Sequence, residues 1–347
     1  MTPSSAPVSA EVRPAEIRVW RDVDARLFHE TIAPLGRPAV LKGLVADWPA
    51  VRAAGDPAAL AALIGGFSND QPVRTLHVGP QAKGWFFYND DLSAFNFEAA
   101  QRPLRAVLDQ LVASLAAPDG SATAAQFVPV RAVLPGFEAA NRNPLLDGSV
   151  APNIWVGDRV VVSAHFDLFE NIACVVGGRR RFTLFPPEQV ANLYVGPFEL
   201  TPAGVPVSLV DFDNPDLERH PRFTEALAAA EVADLEPGDA IYIPYLWWHH
   251  VRSLEGFNVL VNYWWNRTEP GVAPPMMALM LALLALRDLP PAYREAWRGL
   301  FDHWVFQANG PPMDHLPAER RGGLAATSPQ LRRLMTANIL RTLGGAP

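Results

Sequence analysis

A histidine and an aspartate, His165 and Asp167, stand one residue apart in the segment 162–186. Side chains at positions i and i+2 of an extended chain point to the same face, so both would enter one cavity from a strand. An imidazole and a carboxylate are two of the three ligands of the facial two-histidine, one-carboxylate iron site. The spacing therefore predicts part of an iron centre. A histidine in a strand is, however, more often a buried core residue.

A candidate for the third ligand lies in the segment PGDAIYIPYLWWHHV, residues 237–251. Its adjacent histidines, His249 and His250, alternate faces in an extended chain, so only one of them points inward. His249 follows His165 by 84 residues, which suits a distant strand of the same barrel. Taken alone, either histidine is equally well explained by packing beside the two preceding tryptophans.

Two strands are predicted directly after the His-Asp pair, at 171–176 and 179–185, with a glycine pair between them. Alternation along the second strand puts Arg180 on one face and Arg179 and Arg181 on the other. One inward arginine could bind a carboxylate through paired hydrogen bonds. The alternative interpretation is a solvated basic edge.

The rest of the chain predicts a mostly β fold with flanking helices. Its 34 prolines and 24 glycines indicate many turns and short strands, as a barrel requires. Further strands are expected at 38–42, 73–78, 85–88, 127–134, 154–163, 240–244 and 257–265. Helices are expected at 22–33, 57–64, 103–115, 188–193 and 225–232. Residues 136–147 and 195–225 are expected to be irregular, and a long loop at a barrel rim is a usual place for substrate contacts.

The two ends of the chain differ from this central part. Residues 1–16 are expected to form a flexible arm, followed by the domain 17–266. From residue 267 the pattern is helical, with helices expected at Met276–Leu286, Tyr293–Phe306 and Ser328–Leu343. The first of these is apolar all round, so it must be buried, either within the chain or against a partner.

Composition narrows the choice of partners and compartment. The net charge is −7, and no basic tract occurs outside 179–181, so nucleic acid is not a favoured partner. The single cysteine, Cys174, cannot form an internal disulfide, which fits a cytoplasmic protein. The N-terminus lacks the features of a signal peptide, and the longest apolar run, eleven residues, is too short to span a bilayer.

Five segments follow one another between residues 150 and 266, and together they resemble the cupin-like branch of the JmjC oxygenases. They are HFD (165–167), GRRRFTLFPP (178–187), VDFDNPDLERHPRF (210–223), PGDAIYIPYLWWHHV (237–251) and FNVLVNYWW (257–265). The likeness extends to asparaginyl hydroxylases of that branch and to bacterial cupin-like domain proteins. It implies a double-stranded β-helix, the cupin jelly roll, that uses Fe(II), 2-oxoglutarate and dioxygen. It also implies a homodimer formed through the C-terminal helices.

Carried over by position, the resemblance makes His165, Asp167 and His249 the iron ligands. Arg180 stands where the family usually has a lysine that binds the far carboxylate of 2-oxoglutarate. Two positions depart from the family: Val162 replaces a threonine and Phe127 a tyrosine, and both lost hydroxyls help to bind the cosubstrate. Each could weaken binding by roughly 1 kcal/mol. The positions matched to the cosubstrate pocket are Arg180, Asn171, Asn262, Trp264, Phe127 and Val162.

The sequence thus predicts an Fe(II)- and 2-oxoglutarate-dependent hydroxylase acting on a protein side chain or a small molecule. The apolar walls around the iron are expected to come from Trp247, Trp248, Tyr263 and Trp264. A metal-binding cupin that senses or scaffolds without turnover is the alternative, and Val162 and Phe127 favour it. Zinc hydrolysis with the same ligands lacks a general base, because Glu170 alternates away from the Asp167 face.

Overall fold

A computed structural model describes residues 14–268, 273–317, 320–321 and 329–344. The chain divides into two compact units, residues 1–266 and 267–347. The first unit carries all the strands in the described residues, and the second is helical. The prediction of a mostly β fold with flanking helices and a helical C-terminal region is confirmed.

Two mixed sheets make up the first unit. Their strands are β1 (Ala15–Glu16), β2 (Val19–Trp20), β3 (Ala39–Leu41), β4 (Pro72–Val78), β5 (Glu98–Pro103), β6 (Ala122–Pro129), β7 (Pro152–Gly157), β8 (Val161–Phe166), β9 (Glu170–Gly177), β10 (Arg180–Phe185), β11 (Glu231–Leu235), β12 (Ala240–Ile243), β13 (Trp248–Ser253) and β14 (Asn258–Trp265). Within the described residues the smaller sheet has the order β1-β11-β10-β13-β8. The larger sheet has the order β2-β3-β12-β9-β14-β7-β6-β4-β5.

The larger sheet has an apolar layer on each face, and strand β9 shows how alternation divides them. Ile172, Cys174 and Val176 pack into the main core, which also contains the helices. Ala173 and Val175 point the other way, into a second core shared with the smaller sheet. Because both faces are buried, β9 is almost wholly apolar, as expected of a central strand. This second core also borders a cavity that lies between the two sheets.

The helices are α1 (Ala25–Leu27), α2 (Pro49–Arg52), α3 (Pro57–Phe67), α4 (Leu104–Ser114), α5 (Val130–Val133), α6 (Phe137–Ala140), α7 (Phe223–Ala229), α8 (Pro275–Leu286), α9 (Pro291–Trp304) and α10 (Pro329–Gly344). Helix α3 begins as predicted, because the Asp56 side chain accepts hydrogen bonds from the backbone N–H groups of Ala58 and Ala59. It does not stop at the glycine pair 65–66 but runs on to Phe67, since Leu60, Ile64 and Gly65 are buried in the main core.

Several sequence predictions of local structure were wrong. Residues 85–88 form only isolated bridges, because the aromatic rings pack against each other and not along a ladder. The segment 127–134 is the end of β6 followed by α5. Helix α7 ends at Ala229, and the next residues form β11, which pairs with β10.

The predicted arm, residues 1–16, lies outside the described residues up to position 13. Its last part is not loose, because β1 pairs in parallel with β11, and Ala15 donates a backbone hydrogen bond to Ala230. The predicted irregular segment 136–147 includes α6 and the buried side chains of Asn141, Asn143 and Leu145. Burial of that kind fixes the segment to the core, so it is not a lid.

The helical unit exposes much apolar surface. Helix α8 has no buried residue, and Met277 and Leu284 are 62% and 71% exposed. Nothing in the described residues of the helical unit covers these side chains, so the burial of α8, within the chain or against a partner, stays a prediction. Among the described residues, no helix combines the length and apolar character needed to cross a membrane.

Candidate metal centre

Strands β8 and β13 bring two histidines face to face. In the antiparallel register His165 lies directly opposite His249, and their ring centroids are 4.2 Å apart. A one-residue irregularity between His249 and Val251 then shifts the pairing of the two strands. This close pairing across the ladder explains how residues 84 positions apart in the sequence share one site.

Asp167 lies just beyond the end of β8 and completes a three-residue cluster. One ligand atom from each of His165, Asp167 and His249 lies within 4.8 Å of the others. The Oδ2 atom of Asp167 is 3.7 Å from Nε2 of His249. No other cluster of three or more metal-capable His, Cys, Asp or Glu side chains occurs in the part of the chain that the structure describes.

The ring orientation of both histidines suits metal binding. Nδ1 of His165 donates to the carbonyl oxygen of Ser163 at 2.9 Å, and Nδ1 of His249 donates to that of Trp247 at 3.2 Å. Each Nε2 is thereby left with a free lone pair toward Asp167. Burial, and next the neighbouring His249, lowers the pKa of His165 to about 4, so its imidazole is neutral near pH 7. Two imidazoles and one carboxylate fit a divalent first-row metal such as Fe(II).

A hydrogen-bonded chain holds the carboxylate in place. Oδ2 of Asp167 accepts from the indole N–H of Trp264 at 3.0 Å and from the amide of Asn171 at 3.2 Å. The buried Asn262 donates to Asn171 at 3.4 Å and accepts from Trp155 at 2.8 Å. Partners of this kind orient a ligand and raise the affinity for metal. Asn171, Asn262 and Trp264, matched by position in the sequence, thus lie together beside Asp167.

Arg180 is a buried cation without an anionic partner. It is 7% exposed, and no hydrogen bond or ion pair to its guanidinium occurs among the described residues; its Nε is also enclosed. Burial lowers the pKa of Arg180 to about 10, so the group is still charged at pH 7. Its neighbours Arg179 and Arg181 point outward, as alternation predicts, and pair with Glu255 and Asp234 respectively.

His250 lies on the opposite face of β13 from His249. Its ring stacks on Phe212, with centroids 4.5 Å apart and planes 19° apart. Burial lowers its pKa to about 3, so it is a neutral packing residue. It forms no part of the metal cluster.

The three clustered residues open into a cavity of about 480 Å³ between the two sheets. Val162 and Trp264 line it, and Phe127 lies at its rim with 51% of its surface exposed. The remaining apolar wall includes Leu76, Phe86, Ala173, Phe182, Ile243, Val251 and Leu260.

The expectation that Trp247, Trp248 and Tyr263 form this wall was wrong. Trp248 and Tyr263 are buried in apolar clusters on the opposite faces of their strands. Trp247 precedes β13 and packs in the second core beside residues that line the cavity, but it does not line the cavity itself. Glu170 accepts a hydrogen bond from the hydroxyl of Tyr242. It does not line the cavity, in keeping with its predicted direction.

Most other cavity residues were not found by sequence reasoning, although the loop 195–225 was expected to contact a substrate. Ser163 lines the cavity and accepts from the indole N–H of Trp85 at 2.7 Å. Residues 201–204 also line the cavity, and the hydroxyl of Tyr88 donates to the carbonyl of Leu200 at 2.7 Å. Arg74 and Gln126 come from neighbouring strands. Only the sheet topology brings Ser163, Arg74 and Gln126 to the cavity, so no local signal marked these three.

A jelly roll with a His-Asp-His cluster at the mouth of its interior defines a cupin-type protein. In agreement, residues 25–270 match the model of the family described as "Cupin-like domain". That match covers more than half of the chain, and the protein belongs to this family.

Several curated proteins are similar over part of their length. The chain is 36% identical over 126 residues to "Lysine-specific demethylase JMJ31" of Arabidopsis thaliana, covering 36% of this chain and 22% of that protein. It is 31% identical over 146 residues to "tRNA wybutosine-synthesizing protein 5" of Danio rerio, covering 38% and 42%. It is 34% identical over 148 residues to "HSPB1-associated protein 1" of Homo sapiens, covering 42% and 30%. The matched regions thus span less than half of each relative.

Proposed function

We propose that this protein is an Fe(II)- and 2-oxoglutarate-dependent hydroxylase. The observation that carries the proposal is the buried, unpartnered Arg180 in the same cavity as the His165, Asp167 and His249 cluster. A guanidinium withdrawn from water without an anion costs free energy, so its retention indicates a bound anion. The family relationship points to an oxygenase, and a dicarboxylate that bridges metal and arginine fits both features.

Each group in the cavity then has a defined task. His165, Asp167 and His249 would hold Fe(II), which supplies the oxidising chemistry when bound together with 2-oxoglutarate and dioxygen. Arg180 binds the far carboxylate of 2-oxoglutarate and so fixes its orientation. Trp264 and Asn171 hold the Asp167 carboxylate in position. The apolar wall excludes water from the reacting atoms.

Val162 and Phe127 supply no hydroxyl group to the cosubstrate. Arg180 offsets part of this loss, because a guanidinium presents a fork of N–H donors that matches a carboxylate, whereas a lysine donates from one nitrogen. We therefore expect 2-oxoglutarate binding to depend strongly on this one residue.

Titration of 2-oxoglutarate into the Mn(II)-loaded full-length chain tests the proposal. We expect wild-type protein to bind, Arg180→Gln to weaken binding on the order of 30-fold or more, and Arg181→Gln to behave as wild type. With Fe(II) and dioxygen, wild-type protein should also release succinate. Absence of 2-oxoglutarate binding by wild-type protein, or an equal loss in both variants, would show the proposal to be wrong.

The missing hydroxyls at Val162 and Phe127 favour one second candidate, a metal-binding cupin that acts as a sensor or scaffold. It predicts metal binding without succinate release under any condition. Iron-loaded wild-type protein assayed with cell extract as the substrate source separates the two candidates.

The names of the relatives and the size of the cavity suggest candidate substrates. One relative is named a lysine-specific demethylase, which supports a protein side chain as the substrate. The cavity of about 480 Å³ supports a small molecule as the other candidate. We also propose a homodimer through the C-terminal helices, supported by the exposed apolar side chains of α8 and α9, among them Leu284 and Tyr293. Sedimentation of the full-length chain measures the dimer directly. The buried, free Cys174 is compatible with the cytoplasm.

A further inference from the structure

Three aromatic rings line up beside the metal centre. Phe127 stacks on Trp264, with centroids 5.4 Å apart and planes 28° apart. Phe169 also stacks on Trp264, at 6.0 Å and 20°. We refer to Phe127, Trp264 and Phe169 as the aromatic shelf. Because the Trp264 indole donates to Asp167, the shelf lies one hydrogen bond away from a candidate metal ligand.

The shelf leaves apolar surface uncovered. Phe127 and Phe169 are 51% and 39% exposed, so much of each ring is in contact with water, and burying it would be favourable. Aromatic rings in offset-stacked contact are stabilised beyond the burial of their surface alone. A flat ring of a ligand would therefore bind favourably on the shelf, because it would bury this exposed surface and stack on it.

The strained backbone at Phe127 directs its ring to the rim of the cavity. Phe127 has a φ angle of +53°, in the left-handed region that non-glycine residues rarely adopt. The pairing of β6 with β7 is also irregular between Ala125 and Val128. Irregularities of this kind re-aim a side chain and are frequent beside active sites. Here the result is an aromatic ring at the cavity rim in place of a regular strand residue.

A solvent-exposed arginine, Arg74, stands next to the shelf. Strand β4 pairs Thr75 with Ala125, so the adjoining positions Arg74 and Gln126 lie side by side, directly before Phe127. All three line the cavity. No hydrogen bond or ion pair to the Arg74 side chain occurs within residues 14–268, although the nearby Arg102 and Arg105 both have partners. Arg180 would be neutralised by the cosubstrate, which leaves Arg74 as the cation available to a second ligand.

We propose that the substrate of this cavity is a small aromatic acid, with its ring on the aromatic shelf and its carboxylate on Arg74. This inference rests on the proposed hydroxylase function, and it names the substrate class of that site. A cavity of about 480 Å³ has the size of a small-molecule site. The chain's net charge of −7 disfavours a polyanion as the carrier of the ring.

Three related probe compounds distinguish the contribution of the aromatic ring to binding from that of the carboxylate. They are phenylacetate, phenylacetamide, which has the ring without the charge, and cyclohexylacetate, which has the charge without the flat ring. Each is titrated by saturation-transfer NMR into the full-length chain loaded with Zn(II) and saturated with 2-oxoglutarate. We expect phenylacetate to bind at least about fivefold more tightly than either analogue, as expected for one rim ion pair or one stacked ring.

Matched variants assign the two contacts. Arg74→Gln should weaken phenylacetate about fivefold, to the level of phenylacetamide, whose own binding stays unchanged. Arg142→Gln, which removes an exposed arginine outside the cavity, should have no effect. Phe169→Leu should weaken both ring compounds and leave cyclohexylacetate as it was. Equal binding of all three probes, no binding of phenylacetate, or the same loss in the Arg74 and Arg142 variants would overturn the inference.

The titration also distinguishes this inference from the proposed function. If 2-oxoglutarate binds and phenylacetate does not, or if phenylacetate is displaced by 2-oxoglutarate, the substrate class is wrong and the hydroxylase proposal stands. If 2-oxoglutarate itself does not bind, the proposed function fails. The same three probes without 2-oxoglutarate then still show whether the shelf and Arg74 form a site.

Discussion

Each face of the smaller sheet carries a histidine and an arginine, but these residues have partners within the chain on one face only. On the outer face His250 stacks on Phe212, and Arg181 forms two hydrogen bonds of 2.7 Å to Asp234. On the inner face His249 leaves Nε2 free, and Arg180 has no anion among the described residues. Each inner residue adjoins its outer counterpart in the sequence, so composition cannot explain the difference.

The difference indicates that the partners of His249 and Arg180 are not supplied by the described chain. The outer face is satisfied by the chain itself, because the neighbouring strand β11 supplies Asp234 and a loop supplies Phe212. The inner face borders one cavity, and its residues without partners are arranged around that cavity. Buried polar groups are nearly always paired in folded proteins, so these positions indicate bound ligands. The comparison can be tested one residue pair at a time.

The largest effect is expected from exchanging the two histidines for alanine. His249→Ala removes a metal ligand in our proposal and should weaken Mn(II) binding on the order of 100-fold or more, beyond the losses typical of residues that only support a ligand. His250→Ala removes an equally buried imidazole from the outer face and should leave Mn(II) affinity within about threefold. Calorimetric titration of Mn(II) measures both. A similar loss in the two variants would refute the assignment of faces.

The next largest effect concerns the free energy of unfolding, which replacement of the two arginines should change in opposite directions. Arg180→Met replaces an unpaired buried cation by an apolar chain of similar length, so it should raise the free energy of unfolding of the ligand-free protein by about 1–3 kcal/mol. Arg181→Met breaks an exposed ion pair and should lower it by less than about 1 kcal/mol. Urea denaturation at pH 7 measures both changes. Destabilisation by Arg180→Met would mean that the chain already pairs this guanidinium.

Alternation explains why the inner and outer residues of this sheet could be predicted from the sequence. The directions of Arg180 and its two neighbours follow from the period of two in an extended chain. The same rule separates His249 from His250, although the choice between them came from the family resemblance. Where a strand is regular, local sequence is enough to assign its faces.

The residues that sequence reasoning missed depend on contacts between distant strands. Arg74 lies at the cavity because β4 pairs with β6, and nothing local to either strand specifies that pairing. The strand predicted at 127–134 failed because the pairing of β6 is irregular and Phe127 adopts a left-handed backbone. Trp247 and Trp248 were assigned to the cavity on chemical grounds, but Trp248 packs in an apolar cluster on the other face of β13, and Trp247 packs in the second core without lining the cavity. Sequence patterns do not show which of two apolar layers a residue joins.

The smallest effect concerns the pH dependence of the outer ion pair. The hydrogen bonds from Arg181, and next its charge, keep the pKa of Asp234 below its ordinary value of 3.8. A carboxyl group whose pKa is lowered by folding stabilises the protein above the pKa of the unfolded state, and this contribution is lost as the pH falls through the folded value. The pair is about half exposed, so solvent screens it and its contribution should be below about 1 kcal/mol.

Arg181→Gln should therefore be slightly less stable than wild type at pH 7, and the difference should shrink as the pH falls below about 4. Urea denaturation at pH 7 and pH 3 measures it, and 1 M salt at pH 7 should reduce it as well. Arg180→Gln provides the contrast, since the buried cation has no carboxylate partner in the described chain to titrate in this range. If the effect of Arg180→Gln also vanished between pH 7 and pH 3, an acidic group of the chain would be its partner. The contrast between the two faces would then be lost.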